Sequence, residues 1–116
     1  MWNSFEQRKF PRIHKECGIS VVANKQNKVL HSVTENIGLG GFCALLSEPL
    51  EKFSKVQVKL VLKNEDAPFE CGARIVWSIK ERDLDPKKVN YDTGFEFIDL
   101  SSEDRRRLES YLLTLL

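Results

Sequence analysis

The chain has 116 residues, of which 41% are hydrophobic and 30% are charged, and its formal net charge at pH 7 is +1. This length predicts one domain with its own core, and the near-neutral charge argues against non-specific binding to nucleic acid or to a membrane surface. The sequence has three cysteines far apart, Cys17, Cys43 and Cys71. This pattern argues against a disulfide framework or a zinc site and indicates buried, free thiols in a reducing cytoplasm. No apolar run has the length of a membrane span.

The first segment, Met1–Lys15, reads as a flexible, irregular arm ahead of a folded domain at residues 16–116. The arm contains a proline and is locally basic, with four positive residues against Glu6; the four are Arg8, Lys9, Arg12 and Lys15. A local excess of positive charge on a nearly neutral chain indicates an anionic partner.

The domain begins with six short stretches of strand-like character. These stretches are Gly18–Ala23, Val29–Glu35, Phe42–Leu46, Lys55–Leu62, Phe69–Ile79 and Tyr91–Ile98. Polar turns separate them, and residues 80–90 read as a charged loop. Six such strands predict an antiparallel barrel, because closure removes exposed sheet edges. Trp77 alternates in register with Ile75 and Ile79, so we expect it in the core.

The last segment changes to a helical period. Ser101 is the predicted N-cap, with Asp104 at the third helical position. Apolar residues then recur at helical spacing; they are Leu108, Tyr111, Leu112 and Leu115. The sequence therefore predicts one amphipathic helix that covers an open end of the barrel.

Two stretches carry the functional prediction. Asn36–Gly41 places three glycines within four residues between two strands, and Arg8 and Arg12 lie four residues apart in the arm. Glycines let a backbone approach a ligand closely, and arginine forks match a phosphate or the edge of a guanine. We find no nucleophile–base arrangement and no metal-ligand spacing. The pattern predicts a nucleotide-binding site without catalytic machinery rather than an enzyme.

Four elements in this order resemble those of PilZ domains. Arg8–Arg12 matches the R-x-x-x-R element, and Asn36–Gly41 resembles the D/N-x-S-x-x-G element at its first and last positions. Gly72–Trp77 resembles the G-x-V-x-W strand with one residue more, and Tyr91–Ser101 resembles the closing strand before the C-terminal helix. The resemblance spans nearly the whole chain.

The resemblance implies a six-stranded antiparallel β-barrel with a C-terminal helix, and cyclic di-GMP, a bacterial second messenger, as the ligand, with no further cofactor and no metal. Six residues would contact the ligand: Arg8 and Arg12 at the phosphates and guanine, and Asn36, Gly38, Gly40 and Gly41 in the surface beneath. Such a cytoplasmic receptor would relay the signal to a protein partner when its arm becomes ordered. We expect a monomer or weak dimer without specific nucleic-acid binding.

Position 38 departs from the family pattern, because glycine stands where serine is usual. The missing hydroxyl would cost about 0.5–1.5 kcal/mol of binding free energy. An alternative is therefore a PilZ-fold adaptor that no longer binds nucleotide. A small barrel that binds RNA or single-stranded DNA is a weaker alternative, since no stripe of aromatic and basic residues is evident. A purely structural interpretation is that the glycines only bend the chain and that the arginines are solvated.

Overall fold

Six strands and one helix follow one another in the predicted order. The computed structural model describes residues 12–23, 28–62, 67–82, 84–85 and 87–115. The strands are β1 Gly18–Ala23, β2 Lys28–Ile37, β3 Gly41–Leu46, β4 Lys55–Val61, β5 Phe69–Arg82 and β6 Val89–Phe97, and the helix is α1 Ser102–Thr114.

The strands close into a barrel in the order β1-β2-β3-β6-β5-β4, with β4 paired back to β1. Every neighbouring pair is antiparallel. The predicted fold class, an antiparallel β-barrel with a C-terminal helix, is confirmed. Because β6 lies between β3 and β5, strands that are distant in sequence form one continuous outer surface.

The core fills the barrel and extends to the helix at one end. The Phe42 and Phe95 rings stack inside it with centroids 4.5 Å apart. Helix α1 begins as predicted, with the Ser101 hydroxyl accepting a hydrogen bond from the backbone N–H of Asp104 at 3.1 Å. The helix buries Leu108, Tyr111 and Leu112 in the same core. The helix thus covers the barrel end as the spacing of its apolar residues predicts.

Two β-bulges interrupt the alternation of side chains. One lies in β2 between Thr34 and Asn36, and the other lies in β5 between Ile75 and Trp77. An extra residue in a strand reverses the facing of every residue beyond it. The prediction that Trp77 and Ile79 share the core face of Ile75 is therefore wrong. Ile75 is fully buried, whereas Ile79 is 57% exposed.

The predicted loop at residues 80–90 is also too long. Strand β5 continues to Arg82 and β6 begins at Val89, with Lys80 opposite Tyr91 and Arg82 opposite Val89. Charged side chains are tolerated there because these strand ends are exposed to solvent. Glu81 therefore lies within β5, after the bulge, and pairs with Asn90 of β6.

Residues 12–15, which the sequence assigns to the arm, run alongside β2. Ile13 and Ile37 exchange two backbone hydrogen bonds of 2.9 Å. The buried Thr34 hydroxyl donates to the carbonyl of Lys15 and accepts from the N–H of Cys17. Residues 1–11, the rest of the predicted arm, lie outside the described residues. In the described part of the chain, no helix is long and apolar enough to cross a membrane.

Candidate functional site

A row of four residues crosses the outer face of the barrel. Asn36 of β2 pairs with Cys43 of β3, Cys43 pairs with Gly94 of β6, and Gly94 pairs with Trp77 of β5. The two bulges place Asn36 and Trp77 on this outer face. The row therefore depends both on the order of the strands and on the positions of the two bulges.

The side chain of Arg12 lies across one end of this row. Its Nε donates a hydrogen bond to Asn36 Oδ1 at 2.8 Å, and its Nη2 donates to Cys43 Sγ at 3.3 Å. Burial lowers the pKa of the Arg12 guanidinium, yet arginine remains charged in proteins. Burial also raises the pKa of the Cys43 thiol to about 11, so this sulfur is protonated at neutral pH. The contacts fix the direction of the guanidinium without neutralising it.

The indole of Trp77 lies at the other end of the row, against Gly94. A Cβ placed on Gly94 would come within 2.6 Å of three indole atoms, Cδ2, Cε2 and Cε3. These equal distances mean that the ring lies face-on over the glycine backbone. The indole Nε1 donates to Asp92 Oδ2 at 3.3 Å. Gly94 and Asp92 therefore set the position of an aromatic ring on the barrel surface.

These side chains surround an open cavity of about 330 Å³. Its lining consists of Arg12, Glu35, Asn36, Cys43, Trp77, Glu81 and Asp92. The pKa of Glu35 is raised, first by burial and then by the neighbouring carboxylates of Asp92 and Glu81, while His14 acts in the opposite direction. The cavity thus combines an arginine fork, an aromatic ring and three carboxylates.

The structure brings together two of the six predicted site residues. Arg12 and Asn36 are in direct contact. Gly38 and Gly40 lie in the turn between β2 and β3, Gly41 is the first residue of β3, and these glycines are not part of the cavity lining. The N–H of Gly38 donates to the carbonyl of Gly41 at 2.9 Å, and the carbonyl of Gly40 accepts from Phe97 at 3.0 Å. Arg8 lies outside the described residues.

Most residues of the cavity carry no functional prediction from the sequence. The sequence predicts Trp77 in the core and Cys43 as a buried free thiol, and it indicates no role for the three carboxylates. One available signal was Gly94, because a glycine inside a strand often marks a close approach by another group. Among the described residues, no group of His, Cys, Asp and Glu is arranged to hold a metal ion.

Comparison with known proteins identifies the family. The profile of the PilZ domain matches residues 6–114. This chain belongs to the PilZ domain family. The match includes the four sequence elements that carry the resemblance and covers the barrel and α1. No curated protein sequence matches this PilZ domain.

Solved structures share its fold. The PilZ domain of YcgR from Escherichia coli with c-di-GMP superimposes with a TM-score of 0.72 at 20% identity, covering 94% of this chain and 91% of that one. The Bacillus subtilis inhibitor of motility MotI/DgrA gives 0.72 at 17% identity, with 94% and 50% coverage. The K. pneumonia MrkH–c-di-GMP complex gives 0.72 at 19% identity, with 93% and 52% coverage. Our PilZ domain thus spans about half the length of MotI/DgrA and MrkH.

Proposed function

We propose that this PilZ domain is a non-catalytic receptor domain for cyclic di-GMP. The observation that carries the proposal is the Arg12 side chain, held on Asn36 and Cys43 at the edge of a cavity that Trp77 also lines. Membership of the PilZ family supports it, as do the E. coli YcgR and K. pneumonia MrkH structures, which contain c-di-GMP.

The chemistry of the cavity suits a purine nucleotide. The guanidinium of Arg12 can form paired hydrogen bonds to guanine O6 and N7 or to a phosphate. The indole of Trp77 offers a flat surface for base stacking, an interaction worth about 1–3 kcal/mol per base. A charged fork and an aromatic ring on one surface would together hold a base by its edge and by its face.

The remaining predicted residues extend this surface. We propose that Arg8 supplies a second guanidinium, since it precedes Arg12 by four residues. The β2–β3 turn begins two residues after Asn36, so Gly38, Gly40 and Gly41 would contact the part of the ligand that projects beyond the cavity. Their small size would allow the ligand to approach the backbone closely.

A calorimetric titration tests this proposal. We expect micromolar or tighter binding of cyclic di-GMP and weaker binding of GMP and cyclic AMP. Arg8→Ala and Arg12→Ala should each cost about 1.5–3 kcal/mol of binding free energy, because each removes a charge-assisted contact. Lys9→Ala is the matched control and should have a small effect. Equal, small losses of binding free energy in all three variants would show that the arm acts only as an unspecific basic patch.

We also propose that ligand binding orders the arm and that a protein partner in the cytoplasm recognises the result. Arg12 is tied to β2 through the neighbouring Ile13, so ligand contacts there would constrain the preceding residues. Amide hydrogen exchange of Ser4–Lys15 should slow when ligand is added, while exchange in Phe69–Ile79 should hardly change. Protection of the whole arm without ligand would contradict this relay.

The adaptor function remains the second candidate, and Gly38 favours it. No hydroxyl is available at this position for the contact that the family pattern expects. A titration at near-physiological salt that shows neither heat nor saturation would favour the adaptor over the receptor.

A further inference from the structure

Three carboxylates surround the cavity that Arg12 enters. Glu35 comes from β2, Glu81 from β5 and Asp92 from β6, so three strands each contribute one. Carboxylates at this density oppose the binding of phosphate. A ligand that occupies the cavity itself must therefore present hydrogen-bond donors there, with its phosphates directed elsewhere.

One of the three carboxylates, that of Asp92, is hydrogen-bonded to the indole of Trp77. Asp92 accepts the indole N–H of Trp77 at 3.3 Å, which fixes this carboxylate at the edge of the ring. Asp92 and Glu35 both line the cavity, and the charge of Asp92 contributes to the raised pKa of Glu35. A flat base that stacked on Trp77 would have its edge directed towards this pair of carboxylates.

Guanine and adenine differ at the Watson–Crick edge, which would face the carboxylates. Guanine presents the N1–H and the N2 amino group, two adjacent donors, whereas adenine presents one donor, its N6 amino group, beside an N1 acceptor. Ionised carboxylates only accept hydrogen bonds. The neighbouring edge of guanine carries O6 and N7, the two acceptors that an arginine fork matches. A cavity that holds Arg12 beside carboxylates therefore fits both of these edges, whereas adenine offers one acceptor fewer to the arginine and one donor fewer to the carboxylates.

We propose that Glu35 and Asp92 determine base specificity by accepting hydrogen bonds from N1–H and N2–H of a guanine stacked on Trp77. This inference rests on the proposed receptor function. The cavity volume of about 330 Å³ lies near the lower end of the range of ligand pockets, about 300–1,000 Å³, and suits one base rather than a whole cyclic dinucleotide.

The proposal fixes the sign of the pH dependence. The charged and titratable groups facing Glu35 are Asp92 on β6, Glu81 on β5, and His14 and Arg12 in the segment before β1. Protonation of Glu35 would remove an acceptor. Affinity for a guanine ligand should therefore fall as the pH is lowered through the raised pKa of Glu35. Repulsion between carboxylates and phosphates alone would produce the opposite trend.

Calorimetry with three cyclic dinucleotides tests the proposal on the full chain. The ligands are cyclic di-GMP, cyclic di-IMP, which lacks the N2 amino group, and cyclic di-AMP. The proteins are the unaltered chain, Glu35→Gln, Asp92→Asn and the control Glu70→Gln. Glu70 also lies on the outer face of β5, but it pairs with Lys59 at 3.5 Å and is not part of the cavity lining. Thermal unfolding of each variant confirms that it is folded.

The unaltered chain should prefer cyclic di-GMP over cyclic di-IMP, and cyclic di-IMP over cyclic di-AMP. Glu35→Gln and Asp92→Asn should each weaken cyclic di-GMP binding about ten- to a hundredfold, because each replaces a charged acceptor. Both should also shrink the ratio between the first two ligands, and Glu70→Gln should change neither quantity. Unchanged ratios, or tighter binding by the variants, would overturn base reading and leave the receptor function intact. Failure of the unaltered chain to bind any of the three would overturn both.

Discussion

Arg12 is the residue on which the site depends, and hydrogen bonds to Asn36 and Cys43 hold its side chain on the barrel surface. Asn36 and Cys43 accept from Nε and Nη2 respectively. A flexible arginine loses considerable rotamer entropy when it is immobilised, at about 1.5–2 kcal/mol. Contacts that hold the side chain in advance reduce the part of this cost that ligand binding must offset. Asn36 therefore has a role in positioning Arg12 besides any contact with the ligand.

At position 38 the chain lacks the serine of the family pattern, and restoring it should strengthen binding. No glycine among the described residues has a positive φ, so a serine at this buried position needs no left-handed backbone conformation. Gly38→Ser should increase affinity for cyclic di-GMP by up to about tenfold, the value of one neutral hydrogen bond. Gly18→Ser is the control, since Gly18 lies outside the proposed site and a Cβ there meets only Val61 at 4.0 Å. Unchanged affinity in a folded Gly38→Ser variant would show that this site uses a different contact scheme.

Glu35 should lower the stability of the fold at neutral pH. Its pKa in the folded protein is raised by burial and by Asp92 and Glu81, so the folded state binds its proton more tightly than the unfolded state does. Stability from this group is present below the unfolded pKa and is lost as pH rises through the folded pKa. Glu35→Gln should therefore increase the free energy of unfolding more at pH 7 than at about pH 4. Urea unfolding at both pH values measures the difference, and a gain confined to acidic pH would contradict the assignment.

At the scale of the element, the β5 bulge decides what Trp77 does. The family pattern G-x-V-x-W is one residue shorter than Gly72–Trp77, and the bulge between Ile75 and Trp77 accommodates the extra residue. Without the bulge, strict alternation would direct the indole into the core beside Ile75. With it, the indole lies outside the barrel and against Gly94. A bulge depends on the register with a partner strand, so alternation within one strand does not reveal it.

Gly94 is the matching requirement on β6. Gly94→Ala should displace the Trp77 ring, because the new Cβ would lie 2.6 Å from three of its atoms. We expect a loss of about 1–3 kcal/mol in the free energy of unfolding, a shift in tryptophan fluorescence and weaker ligand binding. Gly18→Ala is the matched strand control, since its Cβ would meet only Val61 at 4.0 Å. Equal stability and fluorescence in the two variants would contradict the platform role of Gly94.

Across the whole molecule, sequence patterns predict the elements better than they predict the site. Alternating apolar residues and the Ser101 cap identify six strands and the helix, because these signals are local. The cavity depends on non-local pairing. Glu35, Glu81 and Asp92 meet only because β6 lies between β3 and β5 and because two bulges alter side-chain facing. Arg12 and Asn36 were predictable as a pair because the family motifs name both.

Nuclear magnetic resonance mapping of the ligand site tests the central claim most directly. A chain of 116 residues allows the backbone amides and the indole N–H groups to be followed during titration with cyclic di-GMP. The largest shifts should fall at Asn36, Cys43, Gly94 and the indole N–H of Trp77, the row beneath Arg12. Arg12→Ala should strongly reduce them at the same ligand concentration. Saturable shifts concentrated instead along α1, around Arg106 and Tyr111, or no shifts at all, would contradict a receptor site on this face of the barrel.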